Sequence, residues 1–175
     1  MEDSTGEKKK IHPSCVSGLV TCIVSFKLKE NILKRYIDCQ PSKEQKDKAE
    51  ILMQKFCIHR NRLLELVNTF DTSHVVNWSA TSQDDFQEMN AHTTPMETNE
   101  RLLKYIYDVK SVISMNLDLI YTRREKVEKR IFNSSSCAEG DEARDEWVMC
   151  DTVIESLESI VASIAIDGHR LLFDD

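Results

Sequence analysis

The chain has 175 residues, of which 41% are hydrophobic and 30% are charged, so it can form one domain with a buried core and is not disordered throughout. It contains only four glycines and three prolines, the residues that form most turns, which disfavours sandwiches, barrels and doubly wound α/β folds. The net charge of −7 argues against a general nucleic-acid binder. Residues 1–70 contain 13 Lys and Arg against 9 Asp and Glu, whereas residues 133–175 contain 2 against 11.

The N-terminal segment is polar, and we predict that residues 1–11 form a disordered tail. The apolar run that follows, residues 16–26, is shorter than a membrane span and contains Ser17, Thr21 and Ser25. It also lacks a small-residue cleavage site, so neither a signal peptide nor a membrane span is predicted.

The first two helices are predicted at residues 14–38 and from Lys43 to Phe70. Pro41 ends the first helix, and Ser42 with Gln45 forms a capping-box pattern at the start of the second. Because the connection between the two helices is short, they should form an antiparallel hairpin. The second helix has a seam that alternates spacings of three and four: Ala49, Leu52, Phe56, His59, Leu63, Leu66 and Phe70.

A long connection is predicted next, at residues 71–94. Connections of this length inside a compact domain are usually functional or disordered. Trp78 lies in it and either anchors a partner or folds back over a helix end. Thr94-Pro95 begins the third helix and is also a possible phosphorylation site, where a phosphate would strengthen the helix start.

The last two helices are predicted from Pro95 and from Asp141, joined by a flexible turn at residues 133–140. They should form a second hairpin. The seam of the third helix is Leu102, Ile106, Val109, Ile113, Asn116, Ile120, Arg123 and Val127. The seam of the fourth is Ala143, Trp147, Cys150, Ile154, Leu157, Val161 and Ile164, followed by Gly168 and Leu171.

The sequence therefore predicts an all-α fold of four long helices, arranged as two hairpins in a bundle with coiled-coil-like seams. The domain should cover residues 12–175, with hairpins at residues 12–70 and 95–175 and a long loop at residues 71–94 between them. A loop of this length allows either direction for the second hairpin, so the order of the helices in space stays open.

Two polar residues lie on the apolar seam of the third helix. Asn116 is either buried, where it fixes the register or the number of partners, or turned towards water by a local rotation of the helix. Arg123 begins a stretch of alternating charge at residues 123–130, which is either a solvated face or a docking site for an acidic partner. The chain's own fourth helix is one such acidic partner.

Several apolar residues of the third helix lie off the seam, and we predict that they form a second face that binds another chain. They are Val112, Leu117, Leu119, Tyr121 and Ile131. With Asn116, Arg123 and Trp78, they make up the predicted partner-binding set.

No catalytic or metal-binding motif is apparent, and no cofactor is predicted. His12, Cys15 and Cys22 have a spacing that could contribute metal ligands, but too few donors converge for a site. Cys57 and His59 are two residues apart and lie on different helix faces, so they cannot act as a nucleophile and its base. His59 is a packed core residue or, alternatively, a pH sensor.

Long helices with seams and without catalytic residues are typical of interaction proteins. We expect a non-enzymatic adaptor or scaffold subunit of an intracellular complex, cytoplasmic or nuclear, of the cytoskeletal, chromosome-segregation or tethering type. Its partners would be other helical proteins in a hetero-oligomer, with no nucleic acid. The alternative is a self-contained four-helix-bundle signalling ligand or a virus-like decoy; native disulfides would favour that alternative and six free thiols the intracellular subunit.

Overall fold

The computed structural model describes residues 8–39, 41–72 and 98–173, and it confirms an all-α fold of two helical hairpins. In the described ranges there is no β-strand, and none of the helices is long and apolar enough to cross a membrane. The helices are α1 (Pro13–Asp38), α2 (Lys43–Asn68), α3 (Thr98–Asn133) and α4 (Cys137–Phe173). Close packing joins α1 to α2 and α3 to α4.

Contacts between the hairpins settle the direction that the sequence left open. Gly18, near the start of α1, lies against Asn116, whereas Lys29, eleven residues later, pairs with Asp108, earlier in α3. The helices α1 and α3 are therefore antiparallel. Because each hairpin is itself antiparallel, α2 and α3 run in the same direction.

The segment 73–97 consequently joins opposite ends of the bundle. The backbone N–H of Asp71, after α2, donates a hydrogen bond to the carbonyl of Lys9, beside the start of α1. Asn99, at the start of α3, accepts a hydrogen bond from Lys48 in the first turns of α2. The fold is thus a four-helix bundle with one long crossover connection.

The predicted seams supply most of the core. The largest fully buried side chains include Phe26, Phe56, Leu63, Ile113 and Leu157. Five seam positions are only partly buried, and Val67 is buried next to the first of them. They are Leu66, Arg123, Trp147, Val161 and Leu171. Helix α2 contacts both α1 and α4, so its buried stripe is wider than a single seam. Trp147 lies past the start of α1, where fewer helices surround it.

The chain before α1 also contributes to the core. Ile11, which belongs to the segment predicted as a tail, is 1% exposed, and Lys10 forms an isolated bridge with Asp71. The burial of Ile11 therefore moves the start of the packed domain before residue 12. Residues 1–7 lie outside the described ranges.

Local hydrogen bonds explain the helix starts. The predicted cap of α2 is confirmed, since Ser42 Oγ accepts a hydrogen bond from the backbone N–H of Gln45 at 3.4 Å. Helix α4 begins at Cys137, four residues before its predicted start, because Ser136 Oγ caps it by accepting from the N–H of Glu139 at 3.2 Å. The predicted start of α3 at residues 94–95 lies outside the described ranges.

The second hairpin is longer than the first. Helices α3 and α4 have 36 and 37 residues, whereas α1 and α2 have 26 each. Cys15, in the first turn of α1, lies beside Cys150 of α4, with 3.9 Å between the two sulfur atoms. Residues 124–147 therefore extend about 15 Å past the start of α1, at about 1.5 Å per residue. We call these residues the tip.

Candidate protein-binding groove between α1 and α3

The floor of the candidate site is a close contact between α1 and α3. A Cβ atom at Gly18 would lie 3.3 Å from Asn116 Oδ1 and 3.5 Å from Ile120 Cδ1, so glycine allows this approach. Asn116 is 8% exposed, and its Nδ2 donates to the carbonyl of Val112 at 2.8 Å. Of the two alternatives for Asn116, burial in the seam is therefore the observed one.

Above this contact, the outer surfaces of α1 and α3 leave a groove of about 560 Å³. Valine, leucine and small hydroxyl side chains form most of its surface. It is lined by Val20, Thr21, Val24, Ser25, Leu28 and Lys29 of α1 and by Asp108, Ser111 and Val112 of α3.

The apolar surface continues along α3 beyond this lining. Met115 and Leu119 follow Val112 by three and seven residues, so they share its face of the helix. Their side chains are 68% and 64% exposed. Residues 108–119 cover about 16 Å of the helix at about 1.5 Å per residue, the length of about three turns of a bound helix. We call the lined groove together with Met115 and Leu119 the α1–α3 groove.

An ionic cluster closes one end of the α1–α3 groove. Asp108 Oδ2 accepts hydrogen bonds from Lys29 Nζ at 3.0 Å and from Lys104 Nζ at 3.1 Å. Burial disfavours the charged carboxylate, but the two lysines outweigh this effect and hold the pKa of Asp108 below its usual value. Lys29 also lies 5.1 Å from the ring centroid of Tyr105, whose pKa is raised by burial. The carboxylate of Asp108 is therefore satisfied within the chain, and the cluster keeps one net positive charge.

Arg123 also has its partner within the chain. Its Nε donates to Glu146 Oε1 of α4 at 2.8 Å, and Arg130 pairs with the same carboxylate. Burial raises the pKa of Glu146, but hydrogen bonds from the two arginines outweigh that effect and leave it below its usual value. The acidic partner of Arg123 in the structure is therefore the chain's own fourth helix.

The five off-seam residues of α3 do not share one exposed face. Leu117 is 8% exposed and belongs to the core, and Tyr121 is partly buried beneath the guanidinium of Arg124 at 5.3 Å. Ile131 is half-buried in the tip. Val112 and Leu119, seven residues apart, are the two that lie together, both in the α1–α3 groove. Trp78 and Thr94 lie outside the described residues.

Sequence reasoning missed the α1 side of the groove. Val20, Val24 and Leu28 are spaced by four residues, so they form an apolar stripe separate from the buried seam. The sequence alone therefore contains a signal for this stripe. It contains none for the role of Gly18, because the contact with Asn116 depends on how the two hairpins pack.

The remaining reactive side chains are buried or dispersed. All six cysteines fall in described ranges, and none forms a disulfide. The hydrogen bond to Cys150 and burial raise the pKa of Cys15, and burial raises the pKa of Cys22 to about 12. No group of three or more potential metal ligands occurs in the described part of the chain, and His12, Cys15 and Cys22 do not form one.

His59 is packed in the core at 3% exposure, and its ring lies 5.9 Å from that of Phe26. Neither ring nitrogen has a hydrogen-bond partner among the described residues. Burial lowers the pKa of His59, assisted by the positive charges of Arg62 and Lys55 and opposed by Asp167.

Comparisons with protein-family models, with curated proteins and with solved structures find no match to this chain.

Proposed function

We propose that the protein is a non-enzymatic helical adaptor or scaffold subunit that binds a helix of a partner protein in the α1–α3 groove. The partner would be a helical subunit of the same intracellular hetero-oligomeric assembly, of the cytoskeletal, chromosome-segregation or tethering type. Amphipathic helices bind to grooves between helices by inserting side chains from positions i, i+3, i+4 and i+7.

The observation that carries this proposal is the exposure of Met115 and Leu119 next to the apolar groove. Both side chains are more than 60% exposed on one helix face. Covering their apolar surface with a partner would therefore be favourable. A helix laid along the groove would cover them together with Val20, Val24 and Val112. Contiguous apolar surface of this kind marks binding sites more often than scattered exposed residues do.

Site-specific photo-crosslinking tests this function. A benzophenone amino acid is placed at Met115 in the groove or, as a matched control, at Ile166, which is 53% exposed on α4. The protein is irradiated in the cells that contain it, and the cross-linked peptides are sequenced by mass spectrometry. We expect Met115 to label helical segments of one or a few proteins, and Leu119→Glu to remove this labelling.

Equal labelling from Met115 and Ile166, or labelling from Met115 that Leu119→Glu leaves unchanged, would contradict the groove as the binding surface. Circular dichroism of Leu119→Glu controls for folding. Because Leu119 is 64% exposed, this substitution should leave the helical content unchanged.

A further inference from the structure

Positive side chains lie along both helices that form the α1–α3 groove. On α1, Lys27 follows Val24 by three residues and Arg35 follows Leu28 by seven, so each shares a helix face with a groove residue. On α3, Lys126 follows Leu119 by seven residues. The apolar stripe is therefore continued by cations on both of its walls.

These cations are not neutralised within the described structure. Lys27, Arg35 and Lys126 have no ion-pair partner among residues 8–39, 41–72 and 98–173. The carboxylate in the groove lining, that of Asp108, is already held by Lys29 and Lys104. One further acid, Asp118, is exposed three residues after Met115.

The two helices that border the groove also carry a net positive charge. Helix α1 has four Lys and Arg against two Asp and Glu, and α3 has eight against five. Helix α4, on the other side of α3, has two against nine. Helix α2 has six against four, the same net charge as α1, so the negative charge of the helices is concentrated on α4, and both helices that border the groove are net positive.

From this arrangement we infer that the occupant of the α1–α3 groove is an acidic amphipathic helix of a partner protein. Its apolar stripe covers Val24, Val112 and Leu119, and its flanking Asp and Glu residues face Lys27. Continued by about two turns past Leu119, the same helix reaches Lys126. This inference rests on the proposed function and specifies the chemistry of the partner. Complementary charge of this kind guides association and selects among partners more than it adds affinity.

An acidic helix fits the groove better than a nucleic acid, the other polyanion that such cations attract. The groove residues Val20, Val24, Leu28 and Val112 are aliphatic, so they offer no aromatic surface on which bases stack. They instead match the leucine, isoleucine and valine side chains of an amphipathic helix.

Fluorescence anisotropy with designed peptides tests the inference on the full chain. Two labelled helical peptides carry the same leucine stripe, flanked by glutamate in one and by lysine in the other. We expect the glutamate peptide to bind more tightly. Its binding should weaken as salt increases, because the Debye length falls from about 10 Å at 0.1 M to about 3 Å at 1 M ionic strength.

Charge reversal locates the interaction. The double variant Lys27→Glu/Lys126→Glu should weaken binding of the glutamate peptide by about tenfold or more. The control Lys43→Glu/Arg170→Glu makes the same change in net charge at two exposed positions outside the groove, and its effect should be no more than about twofold.

Three outcomes would overturn the inference. Tighter binding of the lysine peptide, blocked by Leu119→Glu, would exclude an acidic partner but keep the groove as a helix site. Binding of neither peptide would also overturn it, while cross-links from Met115 to a native partner would still support the proposed function. Tighter binding of a single-stranded 20-nucleotide DNA that displaces the glutamate peptide would assign the cations to a nucleic acid.

Discussion

The four-helix part of the molecule and the tip are held together by different interactions. Where all four helices meet, the interior is mainly apolar, with Phe26, Phe56 and Leu157 fully buried, although His59 and Asn116 are also buried there. Within residues 124–147, all of which the structure describes, the buried residues are Val127, Gly140 and Ala143. Only the short segment before α1 joins the two helices here, through the ion pair of Lys9 with Asp145. Large side chains are therefore not enclosed, and the tip has little hydrophobic core.

Polar contacts replace the missing core in the tip. Glu146 holds Arg123 and Arg130, and Trp147 Nε1 donates to Glu128 at 2.9 Å. At the base of the tip, Arg124 pairs with Asp151 of α4 at 2.6 Å. We infer that apolar burial among the four helices gives most of the stability, whereas charged contacts hold α3 and α4 in register in the tip.

The largest expected effect is a difference in the free energy of unfolding when one apolar side chain is truncated in each region. Leu157→Ala in the four-helix core should lower the free energy of unfolding by about 2–5 kcal/mol, because it leaves a cavity among fully buried neighbours. Phe132→Ala in the tip, at a side chain 86% exposed, should change it by less than about 0.5 kcal/mol. Urea unfolding followed by circular dichroism measures both, and similar losses would disprove the division.

An intermediate effect is expected from the charged contacts of the tip. Glu146→Gln leaves Arg123 and Arg130 without their shared carboxylate and should cost about 1–2 kcal/mol, a value reduced for the partial exposure of the arginines. Asp141→Asn, which removes the exposed pair with Arg144, should cost less than about 0.5 kcal/mol.

The loss in Glu146→Gln should appear as faster amide hydrogen exchange in the tip, with little change between residues 150 and 164. An effect of Glu146→Gln no larger than that of Asp141→Asn would show that the shared carboxylate does not hold the tip together.

The smallest expected effect is a pH dependence that arises in the four-helix part. Because burial lowers the pKa of His59 in the folded state, the folded protein binds fewer protons than the unfolded chain. The contribution of His59 to stability should therefore be fully present above pH about 6.5, the ordinary pKa of histidine. It should decrease as the pH falls from there towards the lower pKa of the folded state.

The histidine prediction is tested by urea midpoints at pH 7.5 and pH 5.5. His59→Leu should reduce the loss of stability at the lower pH, whereas His169→Gln, at an exposed position of α4, should leave it unchanged. The same decrease in wild type and His59→Leu would place the responsible protonation elsewhere.

The sequence predicted local structure better than the relation between helices. The seam residues of α3 from Leu102 to Ile120 are buried as their spacing indicates, because a repeat of three and four residues specifies one helix face. The direction of the second hairpin was not predictable, since a connection at residues 71–94 can reach either end of the bundle. Contacts between the hairpins, such as those of Gly18 and Lys29 with α3, decide it.

The candidate site was predicted in part. Val112 and Leu119 are predicted to bind a partner because they are apolar and lie off the seam, but Leu117 meets the same criterion and is buried. Whether an off-seam residue is covered depends on which neighbouring helix lies beside it, and a single sequence does not contain that information. The α4 cap at Ser136 could have been predicted from the spacing to Glu139.

The affinity of the partner segment identified by cross-linking from Met115 tests the central claim, that the α1–α3 groove binds a helix, most directly. Isothermal titration would compare wild type, Leu119→Glu and the control Ile166→Glu. We predict that Leu119→Glu weakens binding by about tenfold or more, equivalent to about 1.4 kcal/mol, and that Ile166→Glu changes it by less than about twofold. Equal affinities of all three proteins would contradict the account.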